Sequence, residues 1–155
     1  MLNLPEEFLN KADLKNQDDK VTFFNPQSQL LFYTLENKKQ KDIYFRMRLQ
    51  EGDWSDAILI GAKINTEYDE ASPFLMPDGK TLYFSSKGHN TMGGFDIFRT
   101  VYDSLNKTWT DPVNLSFPFN TPADDILFIS DGNEDKAWFA SNRNSNDKKI
   151  TVYKV

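Results

Sequence analysis

The sequence predicts an all-β protein, built from repeated antiparallel units of four short strands. Runs of aromatic and β-branched residues, which favour strands, recur along the chain and alternate with clusters of turn residues. No stretch between these runs has the apolar spacing of an amphipathic helix. The runs also recur at a nearly constant distance, and such self-similarity indicates a repeat architecture.

The unit is clearest in the middle of the chain. Its first predicted strand covers residues 72–76 and its second covers residues 81–85, with Pro77, Asp78 and Gly79 between them. In this turn the proline fixes φ, the carboxylate of Asp78 can bind its own backbone, and Gly79 supplies a positive φ. We therefore assign Asp78 and Gly79 a structural role in a tight hairpin.

A glycine-rich loop, residues 87–94, follows this hairpin and leads to a third strand that begins at Asp96. Asp42 begins the corresponding strand of the preceding unit. Because both aspartates precede a strand in the same register, we expect each to form a structural hydrogen bond to the neighbouring loop. Trp54 and Trp109 also recur at equivalent positions, and we expect them to pack between units.

Most equivalent positions in these units are 54 or 55 residues apart, and the exception is at the first turn, where Tyr33 precedes Phe84 by 51 residues. This period, with four short strands per unit and no helix between them, favours consecutive β-propeller blades over a helical solenoid. An all-β sandwich with coincidental internal similarity is the alternative. The pairs of equivalent residues are Asp42 and Asp96, Trp54 and Trp109, Asn65 and Asn120, and Phe84 and Phe139.

The sequence predicts about three blades, which form an incomplete ring. They cover residues 20–66, 67–121 and 122–155, after a lead-in of residues 1–19. The third blade lacks its outermost strand, and closed propellers have about four to eight blades. We therefore expect the sequence to belong to a longer protein, or a second copy to complete the ring by self-association.

The composition argues against several classes of function. A formal net charge of −5 disfavours nucleic acid as the main partner. The absence of cysteine excludes disulfides, thiolate metal sites and a cysteine nucleophile. No apolar run approaches the length of a membrane helix, about 18 residues, so we expect no membrane span. The first residues lack the basic and apolar regions of a signal peptide.

A family resemblance rests on the motif SPFLMPDGKTLYFSS followed by GGFDIF, which resembles the WD-repeat-like propeller repeat of the TolB type. The longer stretch INTEYDEASPFLMPDGKTLYFSSKGHNTMGGFDIF, with PVNLSFPFNTPADDILF after it, is similar to envelope proteins of Bacteroidetes-type bacteria. There such a propeller commonly precedes an OmpA-like peptidoglycan-binding domain, and some members belong to the type IX secretion and gliding machinery. The resemblance implies a module in the periplasm or at the outer membrane, with protein partners and with peptidoglycan contact through other domains.

The candidate binding residues lie in loops predicted to share one end of the blades. We call this end the loop face; it comprises residues 36–41, 87–94 and 142–149 and the connections 65–70 and 120–125. Loops on a rigid scaffold commonly carry binding residues. Solvated residues at blade junctions are the alternative for the acidic groups, and an ordinary surface position is the alternative for the histidine. The candidates are His89, Asn90, Asp69, Glu70, Asp124 and Asp125.

The sequence predicts no catalysis. It contains no G-x-S-x-G, H-E-x-x-H or P-loop motif, and no spacing of acidic residues singles out a glycosidase pair. His89 is the only histidine, and no spacing gives it a catalytic or metal-binding partner. We therefore predict a non-catalytic interaction module with no catalytic residue, metal or cofactor. The alternative is a glycan-binding or glycan-processing, glycosidase-like propeller.

Overall fold

A computed structural model describes residues 29–37, 39–50, 52–130, 136–145 and 149–155. This part of the chain consists of antiparallel strands, turns and loops, without a helix, which confirms the predicted all-β class. No helix that could span a membrane is therefore found among these residues. The lead-in, residues 1–19, and the start of the first predicted blade, residues 20–28, lie outside the described residues.

The first sheet falls within the first predicted unit. β1 (Leu30–Glu36) pairs with β2 (Lys41–Met47), and β2 pairs with β3 (Ile58–Leu59), all antiparallel. Both long strands contain the aromatic runs that predict them, since aromatic residues fit a pleated surface. The register places Tyr33 opposite Tyr44, and their ring centroids are 6.5 Å apart.

The second sheet is built around the predicted hairpin. β4 (Glu70–Leu75), β5 (Thr81–Ser86) and β6 (Asp96–Asp103) pair antiparallel in chain order. Two further short strands, β7 (Thr108–Trp109) and β8 (Val113–Asn114), both pair with β6. The outer strand of this unit is therefore divided into two pieces.

The outer strand is divided in the first sheet as well as in the second. In the second sheet Pro112 lies between β7 and β8, and proline has no N–H to donate to a ladder. In the first sheet no proline lies at the division, and Trp54 forms an isolated bridge with Arg48 before β3 begins. A four-strand description of each unit therefore simplifies what the structure shows at its outer edge.

The third sheet contains β9 (Asp125–Ser130), β10 (Ala137–Ser141) and β11 (Thr151–Lys154), which pair antiparallel in that order. No fourth strand pairs with β11 among the described residues. The first strands of the second and third sheets, β4 and β9, share an irregularity, since Ser72 and Leu127, 55 residues apart, have φ angles of 53° and 59°.

The turn between β4 and β5 has the chemistry that the sequence predicts. Gly79 has a φ of 68°. A carboxylate oxygen of Asp78 accepts the backbone N–H groups of Lys80 and Thr81, both at 2.8 Å, and the other accepts the hydroxyl of Thr81 at 2.7 Å. Partial burial opposes ionisation, but these hydrogen bonds hold the pKa of Asp78 below its ordinary value.

The sheets pack against one another in chain order. One buried cluster joins the first sheet to the second, and a smaller cluster joins the second sheet to the third. Because each interface is apolar, its burial stabilises the stacking of neighbouring sheets. The larger cluster contains Phe32, Ile43, Ile64, Leu82, Phe84 and Phe98, and the smaller contains Ile97, Phe128 and Phe139.

Trp109 lies at the boundary between the first two sheets. Its ring centroid is 6.0 Å from that of Phe32 in the first sheet and 5.2 Å from that of Tyr102 in its own sheet. Both contacts are edge-on, an arrangement that aromatic pairs favour. Trp54, at the equivalent position, is half-buried. Trp109 therefore contributes to packing between sheets.

Candidate functional site: the loop face

The loop after β1 is bonded to the connection that leads into β4. Gln40 donates a hydrogen bond from its side-chain amide to the main-chain oxygen of Thr66, at 3.0 Å. The backbone N–H of Lys41 donates to Oδ1 of Asp69, also at 3.0 Å. These bonds fix a loop of the first sheet to the start of the second.

Asp69 ties a second loop to the same connection. Its Oδ2 lies 2.8 Å from Nζ of Lys87, and its main-chain oxygen accepts the N–H of Lys87 at 2.9 Å. The hydrogen bond from Lys87 holds the pKa of Asp69 below its ordinary value. Asp69, predicted as a binding residue, is therefore a partly exposed link between loops.

Glu70 is fully buried at the start of β4. Its carboxylate accepts the N–H and the hydroxyl of Thr66, at 2.8 and 2.7 Å, and the hydroxyl of Ser86 at 2.7 Å. Burial raises the pKa of Glu70 above its ordinary value, and these hydrogen bonds oppose the shift. The carboxylate is not accessible to a partner, so the structure gives Glu70 an internal role in place of the predicted contact.

Asp125 takes the same position at the start of β9. It is fully buried, and one oxygen accepts the N–H and hydroxyl of Thr121 at 2.6 and 2.8 Å. The other oxygen lies 2.7 Å from the guanidinium of Arg143. Asp125 is likewise inaccessible to a partner. The sequence holds a signal for this role, since Thr66 precedes Glu70, and Thr121 precedes Asp125, by four residues.

Asp124 joins loops of the second and third sheets. Its Oδ1 accepts the N–H of Phe95 at 3.0 Å, and its Oδ2 accepts the side-chain amide of Asn142 at 3.1 Å. Asn142 in turn accepts the backbone N–H of Asp124 at 2.9 Å. The predicted loops of the loop face are thus brought together, and acidic side chains hold them.

His89 and Asn90 are the predicted binding residues with exposed positions. His89 has a φ of 54°, its Nε2 lies 3.1 Å from the main-chain oxygen of Ile64, and its ring centroid is 5.2 Å from that of Phe98. The main-chain oxygen of Asn90 accepts the side-chain amide of Asn114 at 3.2 Å. Both residues remain candidates for direct contact with a partner.

The structure adds two residues that sequence reasoning missed. Tyr68 is 54% exposed in the connection before β4, and Met92 is 50% exposed in the loop before β6. Aromatic residues and methionine are enriched in protein interfaces. No local motif marks either residue, because the sequence alone does not show which apolar residues stay outside the core.

The glycines of the loop before β6 permit close packing between the two connections. A Cβ at Gly88 would lie 2.1 Å from Oγ1 of Thr66, and a Cβ at Gly93 would lie 2.2 Å from the main-chain oxygen of Pro122. Real Cβ atoms do not approach other atoms so closely, so the loop fits here because these side chains are absent.

Replacing Gly93 by alanine should therefore lower the free energy of unfolding by about 1–3 kcal/mol, as overpacking does. The atom that must yield is main-chain oxygen, which cannot rotate away. Denaturant unfolding would measure the loss. Met92→Ala, in the same loop but at an exposed position, is the matched control and should cost no more than about 0.5 kcal/mol. Equal stability of the two variants would contradict the packing argument.

The raised pKa of Glu70 predicts a pH dependence of stability. Because the folded state binds this proton more tightly than the unfolded state, ionisation of Glu70 weakens folding as pH rises through and above the unfolded pKa. Glu70→Gln removes this effect, so its stability relative to wild type should increase from about pH 4 towards neutral pH. Denaturant unfolding at several pH values tests this, with exposed Glu67→Gln as the control. A pH-independent difference between Glu70→Gln and wild type would refute the prediction.

Asp42 and Asp96 each bind the loop that precedes their strand. Asp42 accepts the side-chain amide of Asn37 at 3.0 Å and that of Gln40 at 2.8 Å. Asp96 accepts the backbone N–H of Met92 at 2.8 Å. Each aspartate therefore holds the preceding loop to the start of its strand by hydrogen bonds.

The acidic side chains of the loop face are bonded within the protein. Within the described ranges, no three or more histidine, aspartate or glutamate side chains are grouped so that they could hold a metal ion. These groups bond to threonine, lysine, arginine and asparagine, and a few other side chains of the loop face, such as Tyr68 and Met92, are exposed. No protein-family model matches the chain, and the curated proteins contain no match to it.

Proposed function

We propose that the chain forms blades of a β-propeller and acts as a non-catalytic interaction module of the bacterial cell envelope. It would lie in the periplasm or at the outer membrane and bind protein or cell-wall partners through the loop face. The loop face itself carries the proposal: loops from three successive sheets meet there and are tied by hydrogen bonds between their side chains and backbone. A rigid scaffold with loops at one end is a common arrangement for binding.

A repeated backbone contact supports the blade interpretation. The side chain of Asn65 accepts the N–H of Ile43 at 2.9 Å and donates to its main-chain oxygen at 3.0 Å. Asn120, which follows by 55 residues, makes the same pair of bonds to Ile97, both at 2.8 Å. Each asparagine thus fixes the strand before it, β2 or β6, to the connection that follows.

The edge of β11, which has no strand beside it among the described residues, supports the idea that further strands complete the ring. In the first two sheets the equivalent strands, β2 and β6, are paired on both sides, whereas β11 is paired only with β10 among the described residues. An unpaired edge readily accepts another strand. Another blade or a second copy of the chain could supply it.

The partner can be sought by binding the immobilised chain to envelope extract of a Bacteroidetes-type bacterium and to purified peptidoglycan. A Tyr68→Ala, Met92→Ala double variant removes exposed apolar side chains from the loop face. Leu105→Ala is the matched control, since Leu105 is 94% exposed in the hairpin at the opposite end of β6. We expect wild type and control to retain one partner that the double variant loses.

Two results would count against this function. If the double variant and Leu105→Ala retain the same partners equally well, the loop face is not the binding surface. If the chain turns over a panel of polysaccharides or chromogenic glycosides, it is an enzyme, and the glycan-processing alternative replaces the proposal.

A further inference from the structure

The outer edge of β11 presents backbone groups to whatever lies beside it. Ala137 of β10 and Val155, directly after β11, exchange two hydrogen bonds, at 3.1 and 2.8 Å. Because the backbone groups of successive residues in an antiparallel strand alternate between its two edges, those of Val152 and Lys154 point away from β10. No other strand of the described residues pairs with β11, so these groups lie at an open edge.

Val152 corresponds to Ile97 of the second sheet. Ile97 lies opposite Ser85 and Val152 lies opposite Ala140, so both members of the pair recur after 55 residues. Ile97 is 0% exposed, as is Ile43 at the equivalent position of the first sheet, whereas Val152 is 64% exposed. The described residues therefore cover this position in the first two sheets and not in the third.

The second sheet shows what binds the equivalent edge. The N–H of Leu115, directly after β8, donates to the main-chain oxygen of Ile97 at 3.1 Å, and the side chain of Asn120 bonds both backbone groups of Ile97 at 2.8 Å. In the first sheet the residue after β3 and Asn65 make the same bonds to Ile43. The edge thus binds a short strand that is followed by an asparagine.

The N-terminal segment, residues 2–10, lies outside the described residues, and its sequence resembles that of β8 and the connection after it. Residues 2–4 are Leu-Asn-Leu, and residues 113–115 are Val-Asn-Leu. An asparagine preceded by an apolar residue follows in both stretches, Asn10 in the first and Asn120 in the second. The intervening stretch is one residue longer in the N-terminal segment. This segment therefore has the residue types that bind the equivalent edge.

We propose that the N-terminal segment of a second copy binds along the edge of β11, with Asn10 bonding the N–H and main-chain oxygen of Val152. A second copy fits better than the same chain, because the second sheet lies between the third sheet and the first, to which the segment leads. Two copies can exchange their segments reciprocally, and twofold dimers are the commonest homo-oligomers. This pairing is independent of any partner at the loop face.

Analytical ultracentrifugation of the full chain over a range of concentrations tests this pairing. Wild type should reach twice the 18.0 kDa mass of one chain. Asn10→Ala removes the carboxamide and should raise the dissociation constant of the dimer by about one to two orders of magnitude, since it leaves backbone groups of Val152 without partners. Asn16→Ala, an asparagine outside the segment, is the matched control and should leave the dimer unchanged.

Crosslinking between introduced cysteines tests the register. The chain has no cysteine of its own, so Leu2→Cys and Lys154→Cys would supply its two thiols. These positions correspond to Val113 and Arg99, which are opposed in the second sheet. Directly opposed residues have Cβ atoms about 4.5–5.5 Å apart, so a short thiol crosslinker should give covalent dimers. Glu6→Cys with Lys154→Cys is the control and should give few.

Three results would overturn this pairing. Wild type could sediment with the mass of one chain at every concentration. The crosslinker could join the two cysteines within one chain, which would mean that the chain covers its own edge. Asn10→Ala could dimerise as strongly as Asn16→Ala while the cysteine pair and its control crosslink equally, which would place the contact between copies on another surface.

Discussion

Replacing Arg143 by methionine should lower the free energy of unfolding by about 3–5 kcal/mol, because it leaves a buried carboxylate without its cation. Arg143 lies 2.7 Å from Asp125, of which 0% is exposed. Its guanidinium also donates to the main-chain oxygens of Pro118 and Phe119 and lies 4.8 Å from the ring centroid of Phe139. Methionine can replace only part of the packing.

Denaturant unfolding measures this loss, and a second substitution tests its cause. Asp125→Asn in the Arg143→Met background removes the unpaired charge, so the double variant should recover much of the lost stability. Lys63→Met is the control, because it breaks the ion pair of Lys63 with Asp111, whose side chain is 91% exposed; such pairs contribute about 0–1 kcal/mol. A loss for Arg143→Met no larger than that of Lys63→Met would show that the buried pair is not important for stability.

The sequence predicts the strands of the fold well, because their signals are local. The hairpin between β4 and β5 follows from Asp78 and Gly79, whose turn chemistry needs no other part of the chain. The repeated spacing also predicts which residues occupy equivalent positions in successive units. The division of the outer strand is harder to predict from the sequence, because a two-residue strand such as β7 is too short to show an alternation of apolar and polar residues.

The sequence predicts which loops form the loop face better than it predicts what their side chains do. Glu70 and Asp125 look like exposed loop acids, yet both turn inward because threonine hydroxyls and backbone N–H groups satisfy them. The role of Arg143 could not be predicted from the sequence, since its partners Pro118 and Phe119 are 25 and 24 residues away in the chain. Such roles depend on tertiary contacts that spacing does not encode.

Replacing Asn120 by alanine should lower the free energy of unfolding by about 2–4 kcal/mol, since each buried backbone group left unpaired costs about 1–3 kcal/mol. Asn120 is fully buried, and its amide bonds both the N–H and the main-chain oxygen of Ile97 at 2.8 Å. It also donates to Oδ1 of Asn114 at 2.7 Å. Alanine can neither donate nor accept these bonds.

Amide hydrogen exchange gives this prediction a specific readout. Ile97 should lose protection in Asn120→Ala, and Ile43 should lose it in Asn65→Ala, because the two asparagines make the same bonds one repeat apart. Asn106→Ala is the control, since Asn106 is exposed in the hairpin between β6 and β7 and bonds only within it. It should change stability by no more than about 0.5 kcal/mol. Unchanged protection of Ile97 in Asn120→Ala would mean that the backbone finds other partners and that the asparagine is not what fixes the third strand to its connection.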